Sequence, residues 1–221
     1  MLYTQPPQSL LRSLIDPATQ SSDIALDVYC AANVLLREFF WARLRMLTLL
    51  IRRFSKRNET CLDFGGGSGI FMVSLASGFD RVDLIDLNTE QAERLQASYG
   101  IENVRITRAN IATFDYGAGA FDAIVAADVL EHFKDLSLPV ERIRHWLSAD
   151  GTLYTSLPTE NWCYRFLRVL FGKQKPHDHY HTAAEVERFL RDSGFRKVGG
   201  LYHPLFVPLF PLFRISAWRK R

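Results

Sequence analysis

From Thr60 onward the chain alternates short apolar segments with amphipathic ones, and this alternation restricts the possible folds more than any other feature. The apolar segments predict strands: "CLDF", "RVDLIDL", "VRITRA", "FDAIVAADVL" and "TLYTSLP". The segments between and after them predict helices: "IFMVSLASG", "NTEQAERLQASYG", "SLPVERIRHWLS" and "TAAEVERFLRDSG". Strands separated by helices predict a mostly parallel sheet covered on both faces.

The end of the chain departs from this alternation. The last two strand candidates, "FRKVGGLYH" and "FRISAWRKR", are joined by "PLFVPLFPL" without a long helix, so we expect them to form an antiparallel edge. Residues 1–57 are helical in character. We expect two units, a helical region over 1–57 that covers the sheet or the substrate side, and an α/β domain over 58–221.

Composition narrows the functional classes. The 221 residues are 48% hydrophobic, enough for one globular domain with an appendage, and the net charge of +3 is too small to argue for nucleic acid. Cys30, Cys61 and Cys163 lack the spacing of a metal site or a disulfide, which favours a reducing compartment. The first residues lack a secretory pattern, and no window reaches 18 apolar residues. We therefore expect a cytoplasmic protein.

The stretch "CLDFGGGSGIF" places four glycines behind the first predicted strand. No lysine follows, which excludes a P-loop, and Ile70 stands where a dinucleotide loop needs its third glycine. The remaining pattern is Asp63-x-Gly65-x-Gly67-x-Gly69.

With the motifs that follow it, this loop resembles motif I of class I S-adenosylmethionine (SAM)-dependent methyltransferases, of the small-molecule, ubiquinone-biosynthesis-like type. "VDLIDLN", "RANIATF", "FDAIVAADVLEHFKD" and "LSADGTLYTSLP" follow in the family's order. The resemblance covers Thr60 to about Arg219. It implies a three-layer, Rossmann-like α/β fold with a seven-stranded, mostly parallel sheet whose last strand is antiparallel.

The resemblance also implies a set of residues that bind the SAM cofactor. Asp63 would face its ammonium group, Asp86 would accept hydrogen bonds from both ribose hydroxyls, and Leu87 would pack on the adenine. Asn110 stands where many relatives have an aspartate, and its side-chain oxygen can still accept from the adenine amino group. The full predicted set is Asp63, Phe64, Gly65, Gly67, Gly69, Asp86, Leu87, Asn110, Ile111 and Ala126, the last through its carbonyl.

His132 in "DVLEHF" is the candidate catalytic base, because its ordinary pKa lies near neutrality and it follows the fourth strand. The alternative is a histidine that bonds nearby backbone and shapes the pocket.

A histidine run follows in "KPHDHYHTAAE", and we expect it to line the acceptor pocket. The predicted substrate residues are His177, His179, Tyr180 and His181. An alternative joint metal site would combine one of these histidines with the Asp-x-x-Glu-His of Asp128, Glu131 and His132. Histidines that line the substrate pocket are favoured over it, so we expect no metal.

The acceptor is predicted to be a small hydrophobic or lipid-linked molecule, methylated on oxygen, nitrogen or carbon by a monomer or homodimer. The apolar and basic stretches at 161–175 and 202–221 could contact a membrane peripherally, or Phe206, Phe210 and Phe213 could be buried under the N-terminal helices. DNA is not expected as a partner. An RNA methyltransferase would use the basic run from Arg37 to Arg57, and a non-catalytic SAM-binding subunit would transfer no methyl group; neither is favoured.

Overall fold

In a computed structural model, which describes residues 1–15, 24–161, 179–204 and 211–221, a seven-stranded sheet forms the centre of the chain. The strand order is β3-β2-β1-β4-β5-β7-β6. Strands β1 to β5 pair in parallel, whereas β7 runs antiparallel to both β5 and β6. The predicted fold class, with its antiparallel last strand, is confirmed.

The elements follow the predicted order closely. The strands are β1 Thr60–Phe64, β2 Arg81–Asp86, β3 Val104–Arg108, β4 Phe121–Ala127, β5 Leu147–Pro158, β6 Phe195–His203 and β7 Phe213–Lys220. The helices of the described residues are α1 Gln8–Leu14, α2 Ile24–Tyr29, α3 Val34–Phe54, α4 Met72–Ala76, α5 Glu90–Tyr99, α6 Ser137–Trp146 and α7 Ala183–Asp192. A 3-10 turn, Leu130–His132, follows β4.

Local differences from the expected elements have physical causes. The fourth strand ends at Ala127, because Asp128 has a positive φ of 54° and turns the chain out of the sheet. Strand β5 begins at Leu147, earlier than the predicted "TLYTSLP", and its pairing with β4 slips between Phe121 and Ala123 to accommodate the extra residues. Helix α5 begins after Asn88 and Thr89, which the predicted helix included, and it has no side-chain cap because the Thr89 hydroxyl donates to Glu93.

The long N-terminal helix α3 packs against β5, β6 and β7, and so covers one face of the sheet. Asn33 begins it by accepting a hydrogen bond from the Leu36 N–H at 3.1 Å, which splits the apolar run into α2 and α3. At its other end the Phe54 ring lies so close to Gly199 that a side chain there would collide with it.

Phe213 is buried against Phe39 and Phe40 of α3, with ring centroids 6.0 and 5.9 Å apart, which confirms the buried alternative for this residue. Phe206 and Phe210 lie outside the described residues, as does most of the stretch at 161–175 on which the alternative of a peripheral membrane contact depended. None of the described helices is long and apolar enough to cross a membrane.

Candidate active site

The glycine loop, residues 65–69, connects β1 to the turn before α4 at the carboxyl end of the sheet. Gly65, Gly67 and Gly69 all have positive φ values, of 68°, 50° and 74°, which side chains on L-residues disfavour. A Cβ at Gly65 would collide with Val129, whereas no described atom lies within 4 Å of a Cβ built at Gly67. The loop is thus packed against the turn after β4 on one side and open on the other.

Asp86 ends β2 beside this loop, and both of its carboxylate oxygens accept from backbone N–H groups. Gly67 donates to Oδ2 at 2.9 Å and Asn88 donates to Oδ1 at 3.0 Å. These bonds orient a half-buried carboxylate toward the loop. Since each oxygen can accept more than one hydrogen bond, Asp86 retains capacity for further donors.

Asp63, two residues before the glycine loop, is a buried acid with unmet bonding capacity. Its side chain is only 3% exposed, and its Oδ2 has no hydrogen-bond partner among the described residues. Burial, with a smaller contribution from the charge of Asp86, raises the pKa of Asp63 to about 7. A buried carboxyl group in this state favours a donor or a cation that can approach it.

The other predicted cofactor residues fall into two groups. Leu87 is 65% exposed and Asn110 is exposed, with its side-chain oxygen accepting from the Ala112 N–H at 2.9 Å. Ile111 is half-buried. The Phe64 side chain instead packs in the core against Trp146, and Ala126 is buried one residue before β4 ends. Phe64 and Ala126 can therefore contact a ligand only through their backbone atoms.

The 3-10 turn after β4 carries the predicted base. Glu131, His132 and His179, which we call the histidine cluster, place one potential ligand atom each within 4.8 Å of one another. The His132 and His179 rings meet edge to face, with centroids 4.7 Å apart. Glu131 is 1% exposed, and burial raises the pKa of its carboxyl group to about 7, against the lowering effects of its own backbone N–H and of His179.

The segment leading into α7 is tied to this turn. The Tyr180 N–H donates to the Glu131 carbonyl at 2.8 Å, and this bond holds His179 next to Glu131 and His132. His179 Nδ1 lies 2.9 Å from Glu160 Oε1. His181 instead contacts the Lys134 carbonyl at 3.2 Å, and Tyr180 is 45% exposed beside Lys134. His177 lies outside the described residues.

Asp128 does not join the histidine cluster. The alternative metal site that included Asp128 with Glu131, His132 and a later histidine is therefore wrong about Asp128. Its carboxylate forms an ion pair with Arg43 of α3, and the Ser156 hydroxyl donates to it at 3.5 Å. Arg43 is only 4% exposed, bonds the Tyr29 hydroxyl and lies 5.0 Å from the centre of the Phe213 ring. The basic run is therefore not a continuous exposed groove, which disfavours the RNA alternative.

Two residues that shape the site, Glu160 and Arg43, were not predicted from the sequence. Glu160 follows β5 at the same carboxyl edge of the sheet, a position that could have marked it as a candidate. It also has a positive φ of 52°, like Asp128. Arg43 carries no local signal, because it lies in a helix with several other arginines.

Comparison with known families now adds to this geometry. A family model described as "Methyltransferase domain" matches residues 37–199, more than half of the chain. The chain belongs to this methyltransferase family. The predicted resemblance to class I SAM-dependent methyltransferases is confirmed at the level of family and fold.

Curated relatives of this methyltransferase are plant proteins. The (S)-coclaurine N-methyltransferase of Papaver somniferum is 26% identical over 145 residues, which cover 63% of this chain and 40% of that protein. The (S)-tetrahydroprotoberberine N-methyltransferase of Eschscholzia californica is 25% identical over 108 residues, covering 45% and 29% respectively. The matches thus span less than half of these relatives' length.

Solved structures share the fold of the methyltransferase. The N-methyltransferase NodS from Bradyrhizobium japonicum WM9 superposes with a TM-score of 0.64 at 20% identity, covering 83% of this chain and 97% of NodS. The 1,6-didemethyltoxoflavin-N1-methyltransferase of Burkholderia thailandensis, solved with bound 1,6-didemethyltoxoflavin and S-adenosylhomocysteine, gives a TM-score of 0.65 at 19% identity, covering 100% of this chain and 93% of that one.

Proposed function

We propose that this methyltransferase transfers a methyl group from SAM to a small, hydrophobic acceptor. The observation that carries the proposal is the donor and acceptor set around the glycine loop. It combines an open backbone cradle, a buried carboxyl group with an unpartnered oxygen at Asp63, and an oriented carboxylate at Asp86. The cradle and Asp63 match the amino acid portion of SAM, and Asp86 matches its ribose.

The residues present fit SAM. Asp63 would bind the ammonium group, the backbone of Gly65, Gly67 and Gly69 would admit the methionine portion, and Asp86 would accept from the ribose hydroxyls. Leu87 would cover the adenine, whose amino group Asn110 would contact. When bound, SAM supplies a methyl group activated on a sulfonium sulfur, so the protein's main task is to hold donor and acceptor in line.

His132 is proposed to accept a proton from acceptors that must lose one. It is half-buried in the 3-10 turn after β4, three residues beyond Val129, the residue that a Cβ at Gly65 would meet. A base adds typically about 10²- to 10⁴-fold to the rate when proton loss is part of the reaction. For an acceptor that is already nucleophilic, His132 would only shape the pocket.

The acceptor side is proposed to be formed by the N-terminal cover, residues 1–57, together with the segment before α7 that carries His179, Tyr180 and His181. The aromatic environment of Arg43, which includes Phe40 and Phe213, supports an apolar acceptor. Hydrophobic amines are the first acceptors to test, because both plant relatives and both structural neighbours are named N-methyltransferases.

A transfer assay with tritiated SAM tests the proposal. Acceptor pools of hydrophobic amines, phenols and lipid-linked compounds would be compared with polar metabolites and RNA. We expect incorporation into a hydrophobic pool, and we expect His132→Ala to lower kcat without changing SAM affinity. Label that appears only in RNA or polar metabolites would contradict the acceptor class, and SAM binding without label in any pool would point to a non-catalytic subunit.

A further inference from the structure

The histidine cluster has the composition of a metal site. Two imidazoles and one carboxylate, from the turn after β4 and the segment before α7, place their ligand atoms within 4.8 Å of one another. Mixed nitrogen and oxygen ligands of this kind suit divalent ions of the first transition row, whereas Mg²⁺ and Ca²⁺ prefer oxygen ligands throughout.

Glu131 supplies a second, independent observation. Its side chain is buried, with 1% exposure, and neither carboxylate oxygen has a hydrogen-bond partner in another residue of the described chain. A buried carboxylate without partners is costly unless a positive charge compensates it. The guanidinium of Arg43 interacts with Glu131 electrostatically, but it already forms an ion pair with Asp128. A cation between Glu131 and the two histidines would meet this need.

Glu160 supplies a third observation. Its carboxylate lies 2.9 Å from Nδ1 of His179, and the two side chains are only 7% and 11% exposed. Donation from Nδ1–H to this carboxylate leaves Nε2 of His179 with its lone pair. Histidines that bind metals are usually oriented in this way by a carboxylate on the other ring nitrogen.

We propose that Glu131, His132 and His179 bind one divalent transition-metal ion, with Glu160 as the positioning residue for His179. Zn²⁺ and Co²⁺ suit the ligand set best. This proposal replaces the expectation of a metal-free site. Three protein ligands leave coordination positions open, and an acceptor oxygen or nitrogen could occupy one of them. In the ion-bound protein His132 would be a ligand and not the base proposed above, and the ion would instead favour loss of the proton from an acceptor bound to it. That use rests on the proposed methyl transfer, whereas ion binding does not.

Metal binding to the untagged full chain tests the inference. The protein would be stripped by dialysis against a chelator and titrated by calorimetry with Zn²⁺ and with Co²⁺, whose visible absorption reports its ligands. We expect one ion per chain, no competition from Mg²⁺, and a rise in Tm on binding. Glu131→Gln and His179→Ala should each weaken binding at least about 100-fold, and Glu160→Gln about tenfold or more.

His181→Ala is the matched control, because His181 lies in the same segment but contacts the Lys134 carbonyl instead. It should bind the ion like the unaltered protein. Glu131→Gln keeps the shape of the side chain and removes a buried charge, so it is expected to fold even if His179→Ala does not. Circular dichroism would check both variants.

Two results would overturn the inference. One is the absence of binding at about 0.1 mM free Zn²⁺ or Co²⁺. The other is binding that persists unchanged in folded Glu131→Gln. Calorimetry with SAM on the same samples separates the two proposals: SAM binding without ion binding refutes only the metal site, and ion binding without SAM binding refutes only the proposed function.

Discussion

The glycine loop and the histidine cluster lie at the same edge of the sheet, but their polar groups are held in different ways. Around the glycine loop, backbone N–H groups from within a few residues of the strand ends orient Asp86. In the histidine cluster, side chains from the turn after β4 and from the segment before α7 meet, with Glu160 and the Tyr180 N–H as their supports. The first region is therefore set by local geometry, and the second by packing between distant segments.

This difference suggests a division of roles. A cradle made of backbone leaves little room for substitution, as suits a ligand shared by a whole family. A cluster of side chains carried by separate segments can change one residue at a time, as suits the proposed metal and acceptor side. Substitutions in the two regions should therefore differ in what they affect.

The largest effect is expected for Gly65→Ala in the glycine loop. Its positive φ and the collision of a Cβ with Val129 should together cost about 2–5 kcal/mol of unfolding free energy. SAM affinity should fall at least about 100-fold, since the backbone must move. Denaturant unfolding and calorimetry measure both.

Gly194→Ala is the control for this change. Gly194 also has a positive φ, of 87°, but a Cβ there would make only ordinary contacts with Arg144. It should cost about 1–2 kcal/mol and leave SAM affinity unchanged. Equal effects of the two substitutions on SAM affinity would contradict a special role for the glycine loop.

Arg43→Met tests the link between the N-terminal cover and the strand edge. Removing Arg43 leaves the Asp128 carboxylate without its partner, so we expect a loss of about 2–3 kcal/mol of unfolding free energy. The loss should be smaller than for a fully buried pair because the Asp128 side chain is 27% exposed. Adding Asp128→Asn should restore at least half of this loss. A double variant less stable than Arg43→Met would refute the pairing as the cause. SAM affinity should change little in either.

Asp63→Asn should have opposite effects on stability and on binding. Because burial raises the pKa of Asp63 to about 7, the folded state holds a proton that the unfolded state releases at lower pH. The free energy of unfolding should therefore fall as pH rises from about 4 to about 7. The buried Glu131 carboxyl, whose pKa is also raised to about 7, contributes a similar fall, so Asp63→Asn should remove only the part that Asp63 contributes. It should stabilise the ligand-free protein at pH 8 by on the order of 3 kcal/mol.

The binding of SAM should show the reverse dependence in the unaltered protein. An ammonium group favours the charged carboxylate, so SAM affinity should rise by up to about tenfold per pH unit between pH 5.5 and 7. This range lies below the pH at which a free α-amino group titrates, so the ammonium group of SAM keeps its charge throughout. In Asp63→Asn the affinity should be lower and nearly independent of pH over this range. A slope that survives the substitution would assign the titration to another group.

The smallest effect is expected for Leu87→Ala. Its side chain is 65% exposed, and covering part of it with adenine contributes at most about 1 kcal/mol, so SAM affinity should fall about three- to fivefold. Leu49→Ala, at a 56% exposed position of α3, is the control and should leave affinity unchanged. Calorimetry would detect the difference, and identical affinities in the two variants would remove Leu87 from the adenine site.

The same contrast explains what could be predicted from the sequence. The order of the strands, the glycine loop and the place of Asp86 at the end of β2 are set by local patterns, so these features could be predicted, although the bounds of β4 and β5 differ from the prediction. The meeting of Glu131 with His179, and of Arg43 with Asp128, depends on how distant segments pack. Spacing along the chain suggested that Asp128 would join Glu131, but its positive φ and the arginine of α3 direct it elsewhere.

Calorimetric titration of the ligand-free protein with SAM, compared with Asp86→Ala, tests whether Asp86 and the glycine loop form the SAM site. One SAM per chain is expected in the unaltered protein. Binding about 100-fold weaker is expected in the variant, because two ribose hydroxyls lose a charged acceptor. Asp150→Asn, an exposed acid paired with Lys56, should bind SAM normally. No heat of binding in the unaltered protein, or equal affinity in Asp86→Ala, would contradict the proposed site.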